Sequence, residues 1–286
     1  MFHALSRMAS FAAAPVLLAA GVLLAAGAPA TGCGVESRCE VSGGYYLRRV
    51  PAGWDGTSPL PLVVFYHGYG ASAEEMMQDG GLGDAVSGLG AILVAPNGVG
   101  KSWSFGAGGM ARERDDVAFT ERVLDDVEKS FPINTSRVLA TGFSIGGSMT
   151  WWLACNLKGR FTGFAPIAGA FWMPLPEHCP AGPASIRHIH GTADKTVPMK
   201  GRSVADGKFT QGDVMESWRR RKAWNGCPDA PDSVAINGAM RCQTWSAQSC
   251  TSGHALTLCL HPGEHEIEMN WVADGFRWME SVGQAH

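Results

Sequence analysis

The sequence predicts an α/β protein in which a mostly parallel central sheet carries helices on both faces. Short segments that are apolar throughout, each ending in a turn with glycine or proline, alternate with longer segments whose apolar residues recur at helical spacing. Strands that are apolar throughout are typical of a sheet buried on both faces. The 286-residue chain has no internal repeat and no break in composition, so we predict a single domain.

The strands and helices of this sheet follow one another along the chain. The five predicted strands cover residues 60–67, 91–96, 137–143, 163–168 and 186–190. The four predicted helices cover residues 116–130, 145–157, 214–224 and 271–282. Asp115 or Asp116 can cap the first helix, and Phe131-Pro132 ends it.

A different pattern is present near the C-terminus. Residues 240–245 and 255–261 alternate between apolar and polar side chains, and a polar turn separates them. This alternation predicts two hairpin strands, with Cys242 opposite Cys259.

The N-terminus has the features of a targeting segment. A short basic stretch precedes the apolar residues 11–27, and the small residues at 28–30 form a cleavage site. We therefore predict a signal peptide over residues 1–30 and a secreted domain over residues 31–286, with no membrane contact after cleavage. A retained membrane anchor is the alternative, and lipidation at Cys33 ranks last.

Charge and cysteine content narrow the possible functions. A net charge of −3 with no basic run is unlike a nucleic-acid-binding protein. An even number of cysteines in an exported chain predicts disulfides, and no pair has the C-x-x-C spacing of a zinc site. The eight cysteines are Cys33, Cys39, Cys155, Cys179, Cys227, Cys242, Cys250 and Cys259.

The pentapeptide GFSIG (142–146) is the first candidate for chemistry. A G-x-S-x-G pattern occurs often by chance, but here a predicted strand leads into it and a predicted helix follows at once. That context is typical of a nucleophile elbow, in which Gly142 and Gly146 let the strand and helix approach and the serine is held in a strained turn. Ser144 is therefore the predicted nucleophile.

A serine hydroxyl needs a base, and with this elbow the order along the chain is Ser, then Asp or Glu, then His. Asp194 follows the predicted strand 186–190, although it could be an Asx-turn residue instead. His265 lies between the last strand and the last helix, where the base is expected. We favour His265 over His261, which ends a strand.

Acyl transfer also needs hydrogen-bond donors for an oxyanion. The backbone N–H of Ile145, directly after the nucleophile, is one candidate. Residues 67–70 (HGYG) have the strand-then-glycine form that supplies a second, with the Tyr69 N–H as the predicted donor. The alternative for this segment is an ordinary tight turn.

A metal-dependent hydrolase is disfavoured, and we predict neither a metal nor another cofactor. Residues 265–269 (HEIEM) lack the second histidine of H-E-x-x-H. His188 and His190 are expected to point to opposite faces of their strand and so not to bind one ion together.

The sequence resembles the secreted α/β-hydrolases that include polyhydroxybutyrate depolymerase-like esterases and the feruloyl or acetylxylan esterases of carbohydrate esterase family 1. The resemblance covers nearly all of the chain after the signal peptide. It is carried by GGYYLRRVPAGWDG (43–56), FYHGYG (65–70), DDVAFTERVLDDVEKSFPIN (115–134), RVLATGFSIGGSMTWWLAC (137–155), HIHGTADKTVP (188–198) and WNGC (224–227).

This resemblance implies an α/β-hydrolase fold and the same catalytic and oxyanion residues as above. It further implies disulfides joining Cys155 to Cys179 and Cys227 to Cys250. These leave the pairs Cys33 with Cys39 and Cys242 with Cys259.

One departure from the family concerns the substrate. Depolymerase-like members carry G-G-G-H-x-W-P around the base, whereas residues 262–269 read PGEHEIEM and lack that tryptophan. Trp103 and Trp172 are candidate substrate-binding residues, with a place in the core as the alternative for each.

The sequence thus predicts a monomeric, secreted serine esterase that works through an acyl-enzyme intermediate. Feruloyl or acetyl esters of plant polysaccharide are the preferred substrates. A polyester depolymerase and an inactive carbohydrate-binding relative are the alternatives.

Overall fold

The computed structural model describes residue 1, residues 32–106 and residues 113–283. The predicted signal peptide falls outside these residues, apart from Met1. No helix within the described ranges is both long and apolar enough to cross a membrane. The described residues from Cys33 onward belong to one compact unit.

A twisted sheet of ten strands forms the centre of this unit, and a separate two-stranded ribbon lies beside it. The strands are β1 (Cys39–Val41), β2 (Gly44–Arg49), β3 (Leu60–Tyr66), β4 (Ile92–Pro96), β5 (Ile133–Phe143), β6 (Gly163–Ile167), β7 (Ile186–Gly191), β8 (Arg202–Val204), β9 (Phe209–Gln211), β10 (Ser233–Asn237), β11 (Met240–Trp245) and β12 (Leu256–His261). The helices are α1 (Ala73–Gln78), α2 (Gly80–Ser87), α3 (Asp116–Ser130), α4 (Ile145–Asn156), α5 (Val214–Asn225) and α6 (Asn270–Gly283).

The sheet has the order β1-β2-β4-β3-β5-β6-β7-β12-β11-β10. Its six middle strands, from β4 to β12, run parallel, and both ends are completed by antiparallel strands. The prediction of a mostly parallel sheet with helices on both faces is therefore confirmed. Parallel strands present their carboxyl ends at one edge, so the loops after β3, β5, β7 and β12 meet there.

Both faces of the sheet are buried. In β3, Leu62, Val64 and Tyr66 belong to a hydrophobic cluster shared with α3, α4 and α5. Val63 and Phe65 belong to a second cluster, shared with α1, α2 and α6. This arrangement follows from strand geometry, because successive side chains point to opposite faces, and it explains why β3 is apolar at every position.

Most predicted elements match the structure to within one or two residues, but several were missed. β5 begins at Ile133 rather than 137, since Ile133 pairs with Leu60 at the start of β3. The sequence analysis did not predict strands β1 and β2, the short helices α1 and α2, the ribbon β8–β9 or strand β10. β1, β8 and β9 have three residues each, and β10 is exposed throughout, so none carries a readable hydrophobic period.

Four disulfides cross-link this unit, and they are the pairs expected from the family resemblance. They join Cys33 to Cys39, Cys155 to Cys179, Cys227 to Cys250 and Cys242 to Cys259. Cys242 and Cys259 lie directly opposite each other in the pair β11–β12, as the hairpin pattern predicted.

Candidate active site

Ser144 occupies the sharp turn between β5 and α4. Its backbone has φ 60° and ψ −121°, a conformation that a non-glycine residue rarely adopts. The turn is held because the Ser144 N–H donates to the Ile167 carbonyl oxygen at 3.0 Å and its own carbonyl accepts from Ser148. A strained serine between a strand and a helix is the geometry of a nucleophile elbow.

The two glycines of the pentapeptide are needed because backbone groups pass very close to them. A Cβ atom on Gly142 would lie 2.6 Å from the carbonyl oxygen of Tyr66 in β3. One on Gly146 would collide with the same oxygen. Any larger residue at either position would therefore push α4 away from the sheet.

Asp194 lies in the loop after β7, and its side chain is fully buried. Its Oδ1 accepts hydrogen bonds from the backbone N–H groups of Thr196 (2.7 Å) and Val197 (2.8 Å), and its Oδ2 lies 2.6 Å from Nδ1 of His265. Burial tends to raise the pKa of this carboxyl, but the hydrogen bonds from His265 and the backbone outweigh it and hold the pKa below its usual value. Asp194 is thus an ionised, oriented acceptor.

His265 lies in the loop between β12 and α6, with Asp194 fixing its orientation. Because a carboxylate can only accept, Nδ1 of His265 carries the proton and Nε2 is left with a lone pair. The His265 ring packs at 4.7 Å from the ring of Phe143, the residue before Ser144. No hydrogen bond joins His265 to the Ser144 hydroxyl in the described part of the chain, and such bonds often tighten only when substrate is bound.

His261, the alternative base, faces a different set of groups. Its Nδ1 lies 3.2 Å from a carboxylate oxygen of Glu266, and its ring packs on Trp271 at 5.1 Å. Only His265 of the two hydrogen-bonds Asp194. The geometry therefore favours His265 as the partner of Ser144 and Asp194.

The loop after β3 brings the HGYG segment against Ser144. A Cβ atom on Gly68 would lie 3.8 Å from the Cβ of Ser144, and Tyr69 borders the same cavity as Ser144. Ile145 begins α4, where the first backbone N–H groups have no partner within the helix. Both predicted oxyanion donors thus lie beside Ser144.

His67 supports this loop, a role that was not predicted. Its ring is fully buried, and burial lowers its pKa. Nε2 accepts from the Gly98 N–H at 3.0 Å, so the proton lies on Nδ1, which donates to the Gly68 carbonyl oxygen at 2.8 Å. That carbonyl also accepts from the Ala71 N–H at 3.2 Å. The carbonyl and the Tyr69 N–H belong to one planar peptide group, so His67 and Ala71 together set the direction of the predicted oxyanion donor.

An apolar cavity of about 220 Å³ opens next to Ser144. Its lining consists of Tyr69, Ser144, Ile145, Ser148, Trp172, Thr196, Val197, Arg202, Val204 and Gln211. Larger cavities of about 360 and 550 Å³ lie elsewhere on the protein, but none of Ser144, Asp194 and His265 borders them. The cavity at Ser144 is the one placed to hold the group that the serine would attack.

The two tryptophans predicted to bind substrate differ in position. Trp172 lines the cavity, and its Nε1–H donates to the Ser148 hydroxyl at 3.1 Å. Trp103 is 0% exposed, and its Nε1–H donates to the His67 carbonyl oxygen at 2.9 Å. Trp103 is therefore a core residue beneath the HGYG loop, contrary to the expectation of substrate contact.

The expected orientation of His188 and His190 is also wrong. Residues two apart on a strand lie on the same face, and Nε2 of His188 lies 3.2 Å from Nδ1 of His190. His190 Nε2–H donates to the Val197 carbonyl oxygen at 2.8 Å and lies 3.5 Å from Oδ2 of Asp194. The buried pair therefore connects β7 to the loop that holds Asp194.

Within the described residues, no group of three or more histidine, cysteine, aspartate or glutamate side chains is arranged to hold a metal ion.

Comparisons with known proteins identify the family. No protein-family model matches the chain. It is 30% identical to feruloyl esterase C of Emericella nidulans over 269 residues, which cover 88% of this chain and 89% of that protein. It is 27% identical to feruloyl esterase D of Neurospora crassa over 283 residues, which cover 91% and 89% of the two chains. The structure of an acetyl xylan esterase from Aspergillus awamori shares the fold, with a TM-score of 0.62 at 13% identity, covering 82% of this chain and 93% of the other. The chain belongs to the feruloyl esterase family of carboxylic-ester hydrolases and has the α/β-hydrolase fold.

Proposed function

We propose that this protein is an exported serine esterase that releases feruloyl or related aryl acyl groups from plant polysaccharide. Ser144 is the nucleophile, His265 the general base and acid, and Asp194 the carboxylate that orients His265. The observation that carries the proposal is the apolar cavity that borders Ser144, because it offers an apolar recess for an aryl group next to the attacking oxygen.

The first half of the reaction forms the acyl-enzyme. The Ser144 hydroxyl oxygen attacks the ester carbonyl carbon while Nε2 of His265 takes the hydroxyl proton. Collapse of the tetrahedral intermediate breaks the bond to the sugar oxygen, which receives that proton from His265. Asp194 stabilises the transient imidazolium through the 2.6 Å hydrogen bond at Nδ1.

The second half releases the acid. Water attacks the acyl-enzyme carbonyl and gives a proton to His265, which returns it to the Ser144 oxygen as that bond breaks. In both halves the Tyr69 and Ile145 N–H groups stabilise the oxyanion. The fixed Gly68–Tyr69 peptide requires no reorientation during the reaction, and such prior ordering is what makes oxyanion donors effective.

The cavity favours an aryl acyl group over a short one. Trp172 supplies an aromatic face, and Ile145, Val197 and Val204 supply aliphatic walls. The relatives from Neurospora crassa and Emericella nidulans are both called feruloyl esterases, which agrees with an aryl acyl group.

Export is part of the proposal. Structural disulfides are typical of proteins in oxidising compartments, so the four in this protein support the secretion that the N-terminal sequence predicts. We further propose that the enzyme acts as a monomer. The mass of the secreted protein tests export, and its elution volume on a sizing column tests the monomeric state.

The nucleophile assignment is tested with a fluorophosphonate probe, which reacts with activated serines. The wild type and the control variant Ser130→Ala, changed at the exposed end of α3, are expected to be labelled, with the label mapping to Ser144. Ser144→Ala is expected to remain unlabelled and inactive. An unlabelled wild type would contradict the enzyme assignment and favour an inactive carbohydrate-binding relative.

The substrate class is tested by comparing kcat/KM for methyl ferulate, p-nitrophenyl acetate and a hydroxybutyrate oligomer. We expect methyl ferulate to exceed the other two once the intrinsic reactivity of the nitrophenyl ester is accounted for. A preference for the oligomer would replace the feruloyl assignment with a polyester depolymerase.

A further inference from the structure

The ribbon β8–β9 forms one wall of the cavity at Ser144. Arg202, at the start of β8, lines this cavity and is also exposed to solvent, so it lies at the rim. Its backbone pairs with that of Gln211, which in turn forms a backbone bridge with Trp172. The Arg202 side chain is therefore presented from a braced backbone beside the mouth of the cavity.

The Arg202 guanidinium has no counter-ion in the protein. No carboxylate in the described part of the chain forms an ion pair with it, and none of the described residues that line the cavity is acidic. Two other cations in the same segment are compensated, since Lys195 pairs with Glu264 at 2.9 Å and Lys200 pairs with Asp213 at 3.3 Å. Arg202 thus places an unpaired positive charge next to an apolar cavity.

The charge of this segment is opposite in sign to that of the whole chain, whose formal net charge is −3. Residues 195–211 contain four cationic side chains, and their only carboxylate is that of Asp206, in the turn between β8 and β9. A protein of negative net charge repels an anionic polymer, except where cations are in excess. An unpaired cation at the rim therefore favours the approach of such a polymer at Ser144 over its approach elsewhere.

The polysaccharide part of the substrate has to cross this rim. The cavity of about 220 Å³ has room for an acyl group, whereas a sugar chain cannot enter it. Of the residues that line the cavity, Tyr69, Thr196 and Arg202 are exposed to solvent. A sugar chain whose ester lies at Ser144 therefore runs over or beside these three side chains.

We propose that Arg202 is a specificity-determining residue that binds a carboxylate of an acidic polysaccharide, so that esters on uronate-bearing chains are preferred to esters on neutral ones. This inference rests on the proposed function and names the class of polysaccharide more closely. A uronic acid is the sugar that matches, because its carboxylate is ionised at neutral pH, whereas neutral sugars offer only hydroxyls. A guanidinium and a carboxylate fit each other through two parallel hydrogen bonds.

The test uses feruloylated arabinoxylan oligosaccharides that carry a glucuronate side group, and the same oligosaccharides after their carboxyl groups have been reduced to alcohols. The measured quantity is the ratio of kcat/KM for the acidic form to that for the neutral form, at low ionic strength. We expect Arg202→Gln to lower this ratio about threefold, the size of effect given by an exposed charged pair, and Arg202→Lys to lower it less. In the wild type the ratio should fall as sodium chloride is added, because salt screens exposed charges.

Lys208→Gln is the matched control. Lys208 lies in the turn of the same ribbon, forms no ion pair among the described residues and does not line the cavity, so this variant removes the same charge at a different place. Its ratio should stay close to that of the wild type. Because both forms carry the same ester, any general change in ester cleavage cancels in the ratio.

The outcomes separate this inference from the proposed function. An unchanged ratio in Arg202→Gln, or equal falls in Arg202→Gln and Lys208→Gln, would overturn the role of Arg202 while leaving the feruloyl esterase intact. Cleavage of p-nitrophenyl acetate by the wild type without cleavage of either oligosaccharide would overturn both this role and the proposed polysaccharide substrate.

Discussion

Two substitutions of His67 separate its support of the proposed oxyanion loop, residues 67–70, from its contribution to the stability of the fold. The ring makes two hydrogen bonds, one from Nδ1 to the Gly68 carbonyl oxygen and one to Nε2 from the Gly98 N–H. The amide of asparagine reaches the position of Nδ1, whereas that of glutamine reaches the position of Nε2. His67→Asn therefore keeps the first bond, and His67→Gln keeps the second.

The magnitudes follow from what each variant leaves unsatisfied. In His67→Asn the Gly98 N–H stays buried without an acceptor, which costs about 1–3 kcal/mol of unfolding free energy. In His67→Gln the Gly68 carbonyl oxygen keeps only the hydrogen bond from the Ala71 N–H, at 3.2 Å, so the Gly68–Tyr69 peptide is held less firmly. Complete loss of an oxyanion donor lowers kcat by about 100- to 1000-fold, so we expect a smaller drop, of about tenfold, when the donor is present but held less firmly.

The assays are kcat and KM for p-nitrophenyl acetate and urea unfolding of both variants. His67→Asn should unfold more easily with kcat close to that of the wild type, and His67→Gln should show the larger fall in kcat with KM little changed. Both variants lose the same packing of the ring against Trp103, at 4.7 Å, so this loss cancels in the comparison. Wild-type kcat in His67→Gln, or equal losses of kcat in the two variants, would refute the role of His67.

Three further predictions concern the carboxylate, the buried histidines and one disulfide. Asp194→Asn should lower kcat for methyl ferulate by about 10⁴-fold with little change in KM, because the His265 proton then sits on the wrong nitrogen. The exposed control Asp206→Asn should stay active. A kcat above a tenth of the wild-type value in Asp194→Asn would contradict the role of Asp194. Burial lowers the pKa of three histidines: His67, His188 and His190. As the pH falls, the unfolded chain takes up protons at these histidines before the native state does, so their contribution to stability is complete above about pH 6.5 and is lost as the pH drops towards their lowered pKa values. The free energy of unfolding falls by up to about 1.4 kcal/mol per pH unit for each histidine. Urea unfolding at pH 7 and pH 5.5 measures this loss, and equal stability at the two pH values would contradict the prediction. Replacing Cys242 and Cys259 together by alanine removes a disulfide with a sequence separation of 17. This change should lower the free energy of unfolding by about 3 kcal/mol and leave kcat unchanged. An unaltered midpoint of urea unfolding would argue against this prediction.

The sequence predicts the centre of this fold well because the parallel strands are buried on both faces. Such strands are apolar at every position, and each ends at a turn that glycine or proline marks, so β3, β4, β6 and β7 were placed to within a residue. The sharp turn at Ser144 was predicted for a similar reason. The backbone passes so close to Gly142 and Gly146 that any other residue would collide with it. The two glycines of the pentapeptide therefore indicate this close approach in the sequence itself.

Contacts between distant segments explain what the sequence did not reveal. The ribbon β8–β9 is held by hydrogen bonds to residues 171–173, so its three-residue strands carry no pattern of their own. Arg202 gave no signal because an exposed arginine resembles any other surface residue until its place beside the cavity is known. Trp103 was wrongly expected to touch substrate, since composition does not show whether an aromatic side chain packs inwards.

The central claim, that Ser144 carries the acyl group during turnover, is tested most directly by mass spectrometry of the enzyme quenched in acid while it hydrolyses methyl ferulate. We predict that a fraction of the protein gains the mass of one feruloyl group and that the adduct maps to the peptide containing Ser144. Turnover at the wild-type rate in Ser144→Ala, or an adduct on another residue, would contradict the account.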